Sequence, residues 1–153
     1  AVAALEWLIL RKDIKKESLI LFGQSLGGHL SIAFAAQKQA YFKAMVIESP
    51  FTSYSDIMNY HAKRLSVPDV MIENQFNSIY KAIDLVHLIS IPKLFIHPKD
   101  DGVVPFFMGE MLFNKAAGLK ILWTPNSKHT KSSIQYPGEF MKQVRDLLDQ
   151  AAN

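Results

Sequence analysis

The sequence predicts an α/β fold: a parallel sheet of about four strands with helices on both faces. Four short runs, Ser18 to Gly23, Ala44 to Glu48, Lys93 to His97 and Lys120 to Thr124, are rich in Ile, Leu, Val and Phe and lack polar alternation. Runs of that kind suit strands covered on both faces. Helix-length segments separate them, and strands joined by right-handed crossovers lay those helices over the sheet. Functional residues in such a sheet follow the carboxyl ends of the strands.

The elements follow in order. Val2 to Lys12 is apolar and helix-like, and its stretch Ala1 to Leu10 is far short of the ~20 residues a membrane span needs, so it reads as an ordinary helix rather than a span or a secretory leader. The mixed-charge run Arg11 to Glu17 reads as a solvated turn before the first strand. Leu26 to Gln39 is the next helix. After the second strand, the segment 51–91 is longer than a crossover requires and carries Met58, Tyr60, Val67, Met71, Ile72 and Phe76 among polar residues. It is either a small lid or two connecting helices with core-facing side chains. Pro105 to Ala117 is a helix, and Gln135 to Ala151 closes the chain with Phe140, Val144, Leu147 and Leu148 in one stripe opposite Lys142, Arg145, Asp146 and Asp149.

The 153 residues fit a single domain over 1–153, and 49% hydrophobic with 20% charged residues suits a folded core. A net charge of +3 is too small and scattered to argue a nucleic-acid partner. The absence of cysteine excludes a disulfide framework, a zinc–cysteine site and a cysteine nucleophile, and leaves the compartment open. The histidines at 29, 61, 87 and 97 match no metal spacing and read as structural or solvated, so no metal site is expected.

The first strand runs directly into Gly23-Gln24-Ser25-Leu26-Gly27-Gly28 and a helix. This is G-x-S-x-G in its strand, turn, helix setting. Glycines at 23 and 27 are expected to remove Cβ atoms that would collide around a turn tight enough to force Ser25 to positive φ. The Leu26 N–H, at the start of a helix, can face a developing oxyanion. A serine hydroxyl needs a base, and the base needs an orienting acid. The third strand ends in His97-Pro98-Lys99-Asp100-Asp101-Gly102-Val103-Val104-Pro105, and the fourth leads into Thr124-Pro125-Asn126-Ser127-Lys128-His129. The order is Ser, Asp, His.

In these motifs the chain resembles the carboxyl-terminal half of an alpha/beta-hydrolase, nearest the serine-aminopeptidase and lysophospholipase-like branch. In that family the pattern His-Gly-x-x-Asp-x-x-Val-Pro carries the triad acid, which selects Asp101 over Asp100; Pro98 stands where a glycine is usual. Glu48-Ser49-Pro50-Phe51-Thr52-Ser53 resembles the region after the family's sixth strand, and His129 falls at the triad histidine, with Ser127-Lys128 where a glycine is common. The resemblance implies a serine hydrolase of esters, thioesters or amides with Ser25, Asp101 and His129 as triad, Leu26 as oxyanion donor, a small-molecule acyl substrate and no cofactor. It also implies that the family's first strands, and a second oxyanion donor, lie outside these residues. Strand 19–22 would then be an apolar edge through which the chain self-associates.

Three alternatives stand beside this. Glu48 is a reserve triad acid. Gly23-x-Ser25-x-x-Gly28 with Glu48 about twenty residues later imitates a dinucleotide-binding turn, although Ser25 blocks close approach of a pyrophosphate. A non-catalytic hydrolase-like scaffold is the third.

Overall fold

A continuous apolar run is stable only where both of its faces are covered, and the two inner strands meet that condition. The computed structural model describes residues 1–15, 18–66 and 80–152. Helix α1 (Val2–Leu10) precedes strand β1 (Ile20–Gln24), helix α2 (Leu26–Lys38), strand β2 (Ala44–Glu48) and helix α3 (Tyr54–Arg64). Then come α4 (Ala82–Leu85), β3 (Lys93–Ile96), α5 (Phe106–Lys115), β4 (Lys120–Trp123), α6 (Ser132–Gln135) and α7 (Pro137–Gln150). The strands form one sheet in the order β1-β2-β3-β4, and each neighbouring pair is parallel. The parallel sheet with helices on both faces is therefore present as expected.

Every residue of β2 and β3 is buried, because each lies between two strands and two helical layers. Met45, Ile47 and Phe95 face a layer in which α2 supplies Ile32 and Ala35, the α4 region Ala82, Val86 and Ile89, and α5 Leu112 with Ala116 beyond its end. On the opposite face Ala44, Val46, Leu94 and Ile96 meet Val144 and Leu147 of α7. Full burial of each such aliphatic side chain contributes about 1.5–3 kcal/mol. The outer strands differ from the expectation of two-sided burial. In β1, Ile20 and Phe22 are exposed, and β4 is half-buried throughout, because a sheet edge has a neighbour on one side only.

One boundary also differs. The closing helix expected over Gln135 to Ala151 is α7 and starts two residues later: Gln135 ends the short α6, and Tyr136 (φ −134°, ψ 57°) separates the two, since Pro137 has no N–H to continue α6 but suits the first turn of α7. Within the segment 51–91, Ser53 caps α3 by accepting from the Asp56 N–H at 3.1 Å, and Val67, Met71, Ile72 and Phe76 lie outside the described residues.

Candidate active site

The carboxyl ends of β1, β3 and β4 bring the three expected side chains to one end of the sheet. At the end of β1, Ser25 has φ 51° and ψ −119°. A non-glycine residue at positive φ costs on the order of 1–3 kcal/mol and persists only where its surroundings hold it. The Ser25 N–H donates to the Glu48 carbonyl (2.8 Å), and its carbonyl accepts from the His29 N–H (3.0 Å), so β2 and α2 grip the turn from both sides. The hydroxyl does not cap α2. Leu26 is the first residue of that helix, where backbone N–H groups lack intrahelical partners. The steric demand on the turn falls on one of the two glycines expected to bear it. A Cβ at Gly23 would lie 2.3 Å from Ser31 Oγ and 2.4 Å from the Gly27 carbonyl oxygen, whereas a Cβ at Gly27 would meet nothing within 4 Å. Gly23 lets α2 close against β1; Gly27 contributes its carbonyl to the crowding, not a site that must be empty.

The loop after β3 is built around Asp101, which is buried while Asp100 is exposed. Its Oδ1 accepts from the N–H groups of Val103 (2.9 Å) and Val104 (3.0 Å), and its Oδ2 from Nδ1 of His129 (2.8 Å). Burial pushes the Asp101 carboxyl up, but the hydrogen bonds from His129 and these two amides, with the Ser49 hydroxyl nearby, outweigh it and hold the group at about 2. Asp101 is therefore a carboxylate at neutral pH, and its bond to Nδ1 leaves Nε2 of His129 as the nitrogen that can take a proton.

His97 shapes the same loop. Its Nε2 donates to the Val104 carbonyl (3.0 Å), its ring meets Phe106 edge-on (5.7 Å between centroids), and its buried Nδ1 has no hydrogen-bond partner among the described residues. Burial pushes this imidazole down and keeps it neutral. It fits because α5 presents Gly109, where a Cβ would lie 2.1 Å from Nδ1.

Glu48, weighed from sequence as a reserve triad acid and as part of a dinucleotide-binding spacing, is hydrogen-bonded to neither Ser25 Oγ nor His129 through its side chain. It is fully buried, and its carboxylate accepts from Gln24 Nε2 (2.7 Å) and the Ser132 N–H (2.9 Å). Gln24 also donates to the Thr130 carbonyl (3.3 Å). The residue before Ser25 thus touches the residue after His129. Sequence reasoning missed Gln24, Ser49 and Thr130. Gln24 fills a free position of G-x-S-x-G, and the positive φ of Ser49 (50°) and Thr130 (54°) carries no compositional mark. The remaining histidines read as structural or solvated are so placed: His29 is buried with its ring nitrogens 3.1 Å from the Phe51 and Tyr80 carbonyls, His61 meets the Val103 carbonyl (2.9 Å), and His87 is exposed. Phe51 is core, Phe106 is half-buried and Phe107 is exposed. Among the described residues no group of three or more acidic or histidine side chains could hold a metal ion, and no helix is long and apolar enough to cross a membrane.

The chain is similar in sequence and in fold to known proteins. Human alpha/beta hydrolase domain-containing protein 17B is 28% identical over 147 residues, covering 94% of this chain and 46% of its own length. A Mycobacterium tuberculosis protein is 30% identical over 153 residues, covering 99% of this chain and 52% of its own. The chain thus spans about half the length of the curated relatives it matches. A Pyrococcus furiosus esterase shares the fold with a TM-score of 0.75 at 16% identity, over 97% of this chain and 59% of its own. A Pyrococcus horikoshii acylaminoacyl peptidase does so with a TM-score of 0.67 at 21% identity, over 94% and 25%. The prolyl oligopeptidase family matches residues 1–153. The chain belongs to the prolyl oligopeptidase family, within the alpha/beta-hydrolase superfamily.

Proposed function

We propose that this chain carries the acyl-transfer site of a serine hydrolase. Nε2 of His129 removes the Ser25 proton, and Oγ attacks the carbonyl of an ester, thioester or amide. The Leu26 N–H hydrogen-bonds the tetrahedral oxyanion, and the imidazolium returns the proton to the leaving group. Water, activated by the same imidazole, then releases the acyl group. Asp101 holds the ring in the tautomer this requires. The observation that carries the reading is the 2.8 Å hydrogen bond between His129 Nδ1 and a buried carboxylate held at about 2. A surface histidine would have no need of such a partner. The named activities of the structural neighbours, an esterase and an acylaminoacyl peptidase, span ester and amide substrates.

A fluorophosphonate probe tests this, because it reacts with serines activated by a neighbouring base. Wild type is expected to label and Ser25→Ala is not. Labelling that persists in Ser25→Ala places the nucleophile elsewhere, and a folded wild type that does not label removes the hydrolase reading.

A further inference from the structure

A buried carboxylate that touches neither the nucleophile nor the base still needs a reason to be at the end of β2. Glu48 is fully buried, and its two halves grip two different catalytic loops. Its main-chain carbonyl accepts the Ser25 N–H at 2.8 Å and so fixes the elbow. Its side chain accepts the Ser132 N–H at 2.9 Å, three residues beyond His129. Through the Gln24 amide, which donates both to Glu48 (2.7 Å) and to the Thr130 carbonyl (3.3 Å), it holds the intervening backbone as well.

That backbone is strained. Thr130 has φ 54°, and a β-branched residue in the left-handed region is an outlier that its surroundings must hold in place. The surroundings here are the two acceptor contacts just named and a buried bond between the Ser127 and Ser132 hydroxyls (2.8 Å), which closes the base of the loop. Asp101 fixes only the rotation of the His129 ring through Nδ1. The place of the His129 backbone relative to the elbow is set by the other end of the loop, where Glu48 and Gln24 act.

We propose that Glu48 is a positioning residue that indexes the His129 loop to the Ser25 elbow by holding Thr130 and Ser132, and through them sets the reach of the base to the nucleophile. This rests on the serine-hydrolase reading above. Glu48→Gln keeps the size of the side chain but replaces one acceptor oxygen by a donor. Whichever way the new amide turns, its NH2 opposes either the Gln24 amide or the Ser132 N–H, so one of the two contacts to the His129 loop is lost.

The test is turnover of a p-nitrophenyl ester by the full-length protein, with sites counted by fluorophosphonate titration so that misfolded molecules do not enter kcat. Glu48→Gln is expected to lower kcat per titrated site roughly 10- to 100-fold, the scale of an ångström-level misplacement, with KM changed less than about twofold. Thr130→Gly adopts the same φ without strain. In that background Glu48→Gln should cost at least about fivefold less, an interaction that a general loss of stability would not produce. A kcat per site equal to wild type in Glu48→Gln, or full additivity of the two substitutions, overturns the positioning role while leaving the labelled Ser25 site standing. A folded wild type that does not label overturns the hydrolase reading and this inference together.

Discussion

Asp101 shows how one side chain can be both a structural staple and part of the candidate chemistry. Its carboxyl sits at about 2 in the folded chain against an ordinary 3.8. A carboxyl depressed by folding contributes stability that is fully present above its unfolded value and is lost as pH falls through its folded one. The window therefore runs from about pH 4 down to about pH 2, and the contribution is on the order of 2 kcal/mol. Asp101→Asn cannot titrate. It should unfold at lower urea than wild type at pH 6, and the gap should close as pH approaches 2; a gap that stays constant over that window would contradict the assignment. The same substitution removes the acceptor that selects the His129 tautomer, and kcat should fall about 10³- to 10⁴-fold with the nucleophile still in place. Ser25, Asp101 and His129 stand out as candidates in the sequence because each follows a strand within a motif. What Glu48 does was not legible, since a carboxylate twenty-three residues after a serine looks the same whether it holds a ring or a loop. Only the fold shows that its partners are Gln24 and the Ser132 N–H.

Between elements, the fit of α5 on β3 turns on a single missing methyl group. In a helix interior, Gly→Ala ordinarily stabilises by about 0.8–1 kcal/mol. At Gly109 the added Cβ would stand 2.1 Å from Nδ1 of His97, a buried ring held by the Val104 carbonyl and packed edge-on against Phe106. Overpacking of a buried site costs typically 1–3 kcal/mol. Gly109→Ala is therefore expected to lose stability, by about 1–2 kcal/mol net in urea unfolding, and to loosen the Asp101 loop that His97 supports; a more stable variant would show that the ring moves freely. Elements themselves were readable from residue pattern: apart from Glu48 and Lys93 at their ends, β2 and β3 are apolar because they are covered on both faces. The start of α7 was less so, because Gln135 belongs to the short α6, and α7 opens only after Tyr136, at Pro137, which suits a first helical turn.

At the scale of the whole molecule, the sheet is well covered at its centre and open at β1. That strand lies at one end of the order β1-β2-β3-β4, so among the described residues its outer backbone groups have no strand partner. On this strand Ile20 is 38% and Phe22 48% exposed. The sequence predicted an apolar strand there and the resemblance made it an edge; the strand order puts it at the end of the sheet with Ile20 and Phe22 exposed. An apolar edge without lysine, proline or a bulge is a template for a second strand. The 153-residue chain, prepared by itself, is therefore expected to self-associate through residues 19–22, with apparent mass in light scattering rising with concentration. Phe22→Lys places a charge on the strand that a second copy must bury, and should return the chain toward monomer without altering the fluorophosphonate labelling of Ser25. A clean monomer for the unmodified chain at high concentration, or association indifferent to Phe22→Lys, would show that this edge is not the surface that pairs.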